Sequence, residues 1–258
     1  MPNIPTKYGP EVQKVPADTP IENTFYLLKR DGERTQRASA LLALSPTHAK
    51  TQVMNPVYQQ VCSHFLTTRS WFWWGNDKKE SVSKPYVHSC TAMRIRRGGE
   101  AQPLHRDDYI GHNYHQEVDG WDDVGDRNRE TAVGLFVTGS RVTKENGGTH
   151  FIPRNVPPRV ENCIYAEMEK GDAFIMLASA HHAGERLLFA TFSTRGFLRQ
   201  EENQFLSVPQ EVAKQYGRPL QELMGYTISE PACGYVDQLD PIFVLRPELK
   251  GDGRPTDC

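Results

Sequence analysis

Between residues 87 and 194 the sequence breaks into short apolar segments separated by Gly, Asn and Pro, and that rhythm limits the fold more than any other feature. Segments 87–95, 131–138, 149–153, 166–168, 173–177 and 187–194 are too short for core helices, and all but 166–168 carry β-branched or aromatic residues. Arg96-Arg97-Gly98-Gly99 and Gly171-Asp172 read as turns between them. Many short strands punctuated in this way fold as a sandwich or a barrel. The flanks read differently. Residues 1–20 hold Pro2, Pro5, Pro10, Pro16 and Pro20 and are expected to form an irregular arm, with 21–85 mainly helical. Residues 21–28 read as a short helix. A better one starts at Asn55-Pro56, where Asn55 can cap, Pro56 suits the first turn, and Val57, Val61 and Phe65 recur at i+4. Residues 109–130 form a polar, aromatic-dotted insert with the length of a lid, and 201–258 read as a helical segment and tail. The 258 residues thus organise as one domain with its β core at 86–200.

Within this frame His105-x-Asp107 places an imidazole and a carboxylate two residues apart. In an extended strand such residues project to the same face about 6–7 Å apart and can converge on one ion. One more imidazole completes a two-histidine, one-carboxylate set, the ligand set of non-haem Fe(II) oxygenases. His181-His182 ends an apolar run and precedes another, so either histidine is placed to face a barrel interior. Arg186 then stands in an otherwise apolar strand, and a buried guanidinium requires an anionic partner. A dicarboxylate that chelates a metal at one end and meets Arg186 at the other fits 2-oxoglutarate. Gln102 and Thr149 are placed to add neutral hydrogen bonds.

Trp71-Phe72-Trp73-Trp74 cannot all face one way. They are expected to divide between core and a neighbouring surface, with a cavity wall as the alternative. Trp73, Tyr109, His112, Tyr114 and Phe136 are candidates for an apolar substrate pocket. Arg195 and Arg199 are expected to pair with Glu201 or Glu202.

The segments AQPLHRDD (101–108), ENGGT (145–149), HAG (182–184) and TRGFLRQEENQ (194–204) together resemble the phytanoyl-CoA dioxygenase family. The similarity is strongest to fungal Fe(II)/2-oxoglutarate oxygenases of meroterpenoid and related secondary metabolism. It runs from about residue 55 to 226. The resemblance implies a mainly β, double-stranded β-helix (jelly-roll, cupin-like) core with helices outside. It selects His182 over His181 and implies Fe(II) on His105, Asp107 and His182, with 2-oxoglutarate on Arg186, Gln102 and Thr149. It further implies hydroxylation, desaturation or radical rearrangement of a polycyclic terpenoid-type small molecule by O2, with release of succinate and CO2, and a homodimer. The retained Asp107 argues against the halogenase variant, which gives up that carboxylate.

The chain departs from the family pattern after Gly32, after Arg154 and between Gly184 and Arg186, where longer segments are usual. We read these as omitted loops over which the numbering closes, rather than deletions.

Other readings are a metal-dependent isomerase or hydrolase on the same fold, and a non-catalytic small-molecule-binding relative. A formal net charge of −2 with no basic stripe argues against a nucleic-acid partner. No run of about 18 apolar residues suggests a membrane span. The first residues lack the apolar core of a signal peptide, and five cysteines without a C-x-x-C pair suggest reduced thiols, so a cytoplasmic protein is expected.

Overall fold

The computed structural model describes residues 26–27, 35–96, 102–113, 129–153, 159–184 and 187–252. Eleven strands lie in these residues: β1 (Tyr26–Leu27), β2 (Thr35–Ala38), β3 (Thr68–Trp74), β4 (Asp77–Ser83), β5 (Tyr86–Ile95), β6 (Ala132–Thr138), β7 (His150–Phe151), β8 (Ile164–Tyr165), β9 (Ala173–Leu177), β10 (His182–Ala183) and β11 (Leu187–Thr194). One sheet runs β1-β2-β5-β11-β6-β9 and a second runs β10-β7-β8, all pairs antiparallel. His105 bridges to His182 and extends the second sheet beyond β10. From β6 onward the chain passes to the second sheet for β7 and β8, returns for β9, crosses again for β10 and returns for β11. That alternation winds the two sheets into a mainly β, double-stranded β-helix with helices packed outside.

Side-chain alternation decides what each face of the large sheet meets. On β6, β9 and β11 one set comprises Phe136, Phe174, Met176, Leu188, Ala190 and Phe192, which pack on one another. Phe136 stacks on Phe174 at 4.8 Å between centroids and meets Phe192 edge-on at 5.3 Å. Gly134 makes this possible: a Cβ there would lie 2.6 Å from the Phe136 ring and 2.8 Å from that of Phe192. After the short helices α1 (Leu41–Leu44) and α2 (Pro46–His48) comes α3 (Pro56–Leu66), and the opposite set, Val133, Leu135, Ile175 and Leu177, meets it through Tyr58, Cys62 and Leu66. Further along, Cys90 and Ala92 of β5 pack against the helical segments at 41–53 and the C-terminal helices Arg218–Leu223 and Ile242–Leu245.

α3 starts where the sequence predicts. Asn55 Oδ1 accepts the N–H groups of Val57 and Tyr58, a cap stabilising by about 1 kcal/mol, and Pro56 occupies the first turn. Its buried face differs from the expected one by a single residue. Tyr58, Cys62 and Leu66 face inward, whereas Val57 is 61% exposed. Both ladders have i+4 spacing. Tyr58 decides the outcome, because its hydroxyl meets Val133 O (2.9 Å), Thr191 O (3.0 Å) and Ser193 Oγ (3.1 Å) on the sheet.

Residues 68–83, expected to be helical or connecting, instead form the two-stranded hairpin β3–β4. Trp71, Trp73 and Trp74 stand 51–61% exposed on it, with the Lys78 ammonium 4.2 Å from the Trp71 ring centroid. A two-stranded ribbon unpaired with either large sheet has no layer to cover both faces. Tyr26–Leu27 is a strand rather than part of a helix, because it adds to the edge of the large sheet through β2. The arm at 1–20 lies outside the described residues, as do residues 114–128 of the insert and at least one side of each of the three junctions at Gly32, Arg154 and Gly184. Among the described residues Cys62, Cys90, Cys163 and Cys233 are free thiols, and no helix is long and apolar enough to cross a membrane.

Candidate metal and cosubstrate site

His105 and His182 form one cross-strand pair. The His105 N–H donates to His182 O at 3.0 Å, and the His182 N–H donates to His105 O at 2.8 Å. Residues directly opposite in an antiparallel ladder project to the same side, and their rings lie 4.5 Å apart between centroids. In each ring Nδ1 is tied back to the chain, to Pro103 O at 2.7 Å in His105 and to Ala180 O at 3.1 Å in His182. With the proton on Nδ1, both Nε2 lone pairs are left for an ion, the usual arrangement around a metal-bound histidine.

Asp107 faces both. Two residues after His105 the chain turns into the 3-10 segment Asp107–Gly111, anchored by the Asp107 and Asp108 N–H groups on Ala178 O at 3.0 and 3.1 Å. Asp107 Oδ1 then lies 3.6 Å from His105 Nε2, and Oδ2 lies 3.4 Å from His182 Nε2. One donor atom from each of the three residues falls within 4.8 Å of the other two. With metal–ligand bonds of about 2.0–2.2 Å for imidazole nitrogen and carboxylate oxygen, donors this close can share one centre. Burial holds the His182 imidazole below its ordinary pKa, and the neighbouring Asp107 carboxylate pulls the other way. The neutral ring is the form that binds a metal. His181 falls outside the group; its carbonyl accepts the Ile152 N–H at 2.9 Å.

Thr149 is buried, with its hydroxyl donating to Gly184 O at 3.3 Å. It reaches Gly184 because the ENGG turn is tight. Asn146 Oδ1 accepts the Thr143 N–H at 3.0 Å, Gly147 takes φ +84°, and a Cβ on Gly148 would strike Val142 at 2.5 Å. Gln102 Oε1 is buried without a hydrogen-bond partner among the described residues, an unmet need that a bound polar group would fill. Arg186 lies outside the described residues.

A cavity of about 190 Å³ is lined by Asp107 together with His88, Ile110, Gly111, His112, Thr131, Ala132, Thr194, Leu198 and Arg199. Of the four described residues expected around a substrate, His112 alone lines it, at the left-handed C-cap of the 3-10 turn with φ +51°. Tyr109 and Trp73 are 64% and 61% exposed and line no part of it, the first on the outside of that turn and the second on the hairpin. Phe136 is spent on the stacked aromatic core. Tyr114 lies outside the described residues.

Among the described residues, no ion pair joins Arg195 or Arg199 to Glu201 or Glu202, and each acid has other partners. Arg195 is buried, its Nε donating to Glu130 O at 2.7 Å and its Nη1 to Thr68 Oγ1 at 2.5 Å. Glu202 receives the Ala40 N–H at 2.5 Å and the Gln204 amide at 3.0 Å, and Glu201 receives the Ser89 hydroxyl at 2.7 Å. Both acids are taken up by neutral donors on the sheet and the following helix. Burial raises the Glu202 pKa above the ordinary carboxylate value. His88, Thr131 and Arg199 are the residues sequence reasoning missed around the cavity. No local spacing links them.

An antiparallel double-stranded β-helix with two histidines and an aspartate converging on one point is the architecture of a metal-dependent oxygenase. The phytanoyl-CoA dioxygenase (PhyH) family model matches residues 22–156, more than half of the chain. The chain is 36% identical to the dioxygenase himG of Aspergillus japonicus over 79% of its own length and 70% of that protein. It is 32% identical to the dioxygenase peniF of Penicillium patulum over 83% and 73%, and 33% identical to the dioxygenase cnsJ of Penicillium expansum over 84% and 69%. Among solved structures, HygX from Streptomyces hygroscopicus, with nickel, 2-oxoglutarate and hygromycin B bound, aligns at 17% identity and a TM-score of 0.42 over 70% of this chain and 74% of that one.

The chain belongs to the phytanoyl-CoA dioxygenase family. It is an Fe(II)- and 2-oxoglutarate-dependent dioxygenase that acts on a small molecule.

Proposed function

We propose that His105, Asp107 and His182 hold the ferrous ion, that Arg186, Gln102 and Thr149 hold 2-oxoglutarate, and that the enzyme oxidises a C–H bond of a polycyclic terpenoid-type secondary metabolite. The observation that carries the metal assignment is the mutual backbone pairing of His105 with His182, opposite an aspartate anchored on Ala178. Bound ferrous iron and 2-oxoglutarate supply O2 activation and C–H oxidation, with succinate and CO2 released. The protein supplies placement. Backbone carbonyls aim both imidazoles, and the Ala178 carbonyl fixes the aspartate. The three fungal relatives, each a dioxygenase by name, support the oxygenase chemistry, and the secondary-metabolite substrate follows from the motif resemblance. A homodimeric, cytoplasmic enzyme of fungal meroterpenoid metabolism belongs to the same reading.

Anaerobic addition of Fe(II) and 2-oxoglutarate tests it. The wild type is expected to develop the weak visible charge-transfer band of the chelate, and His182→Ala is expected to lose it. Arg186→Ala is expected to keep the band but to require more 2-oxoglutarate. An unchanged band in His182→Ala refutes the ligand assignment. An isomerase or hydrolase would turn over its substrate without forming succinate.

A further inference from the structure

The cavity at Asp107 presents polar groups that have no counterpart among the described residues. Thr131 is nine-tenths buried, and its hydroxyl has no hydrogen-bond partner among the described residues. His88 is buried as well, and its Nδ1 accepts the Glu201 N–H at 3.1 Å. The neutral ring therefore carries its proton on Nε2, and that nitrogen has no partner among the described residues. Arg199 is exposed at the same cavity and makes no ion pair among the described residues, since Glu201 and Glu202 are engaged elsewhere. All three offer donors. The acidic residue in the cavity wall, Asp107, has its oxygens turned toward the two histidines. Ile110, Ala132 and Leu198 supply apolar wall between them.

We propose that this cavity seats a carboxylate carried by the substrate, with Arg199 as its counter-ion and the Thr131 hydroxyl and His88 Nε2–H as hydrogen-bond donors. The inference rests on the oxygenase reading above and narrows its substrate to an acid. A carboxylate has about four lone-pair sites and no proton to give, which matches the three donors of a wall whose own carboxylate, Asp107, is turned toward the two histidines. A ketone or alcohol would leave the guanidinium charge unanswered. An apolar cavity of about 150 Å³ admits benzene, so one of about 190 Å³ takes the carboxylate and roughly one ring. The remainder of the substrate lies outside it. The C–H bond brought to the metal position is then near the acid group.

The test uses 2-naphthoate and 2-naphthalenemethanol as probes, titrated calorimetrically into the anaerobic enzyme loaded with Fe(II) and saturating 2-oxoglutarate. The acid is expected to bind at least tenfold more tightly than the alcohol. Arg199→Gln is expected to weaken the acid at least tenfold and leave the alcohol within about twofold, and Thr131→Val to weaken the acid about threefold or more. Acid binding no tighter than the alcohol, no acid binding, or an unchanged affinity in Arg199→Gln overturns the proposal. So does loss of the charge-transfer band in Arg199→Gln, which would move that residue to the cosubstrate, or loss of the wild-type band on adding the acid, which would place the probe on the metal. A band that forms normally without acid preference sinks this inference alone. A wild type with no band sinks the oxygenase assignment and this inference with it.

Discussion

Acid should weaken this fold through His48 before it protonates most carboxylates. His48 is buried between helix and sheet, with Nε2 3.0 Å from Thr191 Oγ1, whose own proton is directed to Gln52 Oε1 at 3.3 Å. The ring must therefore donate through Nε2. Its Nδ1 is buried without a partner, so a second proton there would have no acceptor. Burial lowers its pKa from 6.5 to about 4. The unfolded chain takes up a proton near pH 6.5, whereas the folded one resists it until about 4. The contribution is thus complete above pH 6.5 and is lost as the pH falls toward 4. Each pH unit in that window removes about 1.4 kcal/mol, for a total of about 3 kcal/mol, with about 2 kcal/mol of it gone between pH 7 and 5. With a urea slope of about 2–3 kcal/mol/M, the midpoint moves down by about 0.7–1 M over that range. The comparison is His48→Gln, whose amide can still donate to Thr191 but does not titrate, with both proteins in chelator so that metal release does not contribute. The wild type should lose about 2 kcal/mol more than the variant between pH 7 and 5. Parallel profiles would refute the account of a buried neutral histidine with one unmet nitrogen.

Three further outcomes follow from the packing and the site. Asp107→Ala should lower Fe(II) affinity at least a hundredfold in a competition titration with a fluorescent chelator, while near-ultraviolet circular dichroism stays that of the wild type. Tyr58→Phe should cost about 1–3 kcal/mol in urea unfolding, because Ser193 Oγ and two strand carbonyls lose the buried hydroxyl. Gly134→Ala should cost about 1–3 kcal/mol by calorimetry, because its methyl group would displace the Phe136 and Phe192 rings. Phe136→Leu in the same chain should recover part of that loss.

The core strands were legible because their chemistry is local. β9 and β11 have the bounds that the apolar runs at 173–177 and 187–194 suggest. The hairpin β3–β4 was not, since Trp71–Trp74 and Asp77–Glu80 show no alternation, and what holds it is cross-strand pairing with cation–π contacts. The face of α3 was misjudged by one position because tyrosine and cysteine read as amphipathic, and only the sheet carbonyls reveal which ladder is buried. His105 and Asp107 could be paired on spacing alone. The partnership of His105 with His182 spans most of the β core and depends on register, which no single segment contains. The donor cavity was harder still. His88, Thr131 and Arg199 come from β5, the residue before β6 and the segment after β11, and the notional ion pairs that hid Arg199 are drawn off by Ser89, Ala40 and Gln204.

The two histidines are also each other's backbone partners, with two reciprocal hydrogen bonds stitching the His105 segment to the rim of β10. A ligand that grips both rings would act as a clasp on that seam, so capturing the ion and closing the barrel's edge become a single event. Stripping the ion from the loaded protein should then speed deuterium uptake at the His105 and His182 amides well ahead of those in β5 and β11, and the enzyme's first step toward inactivation would be an unfastened rim around an intact interior.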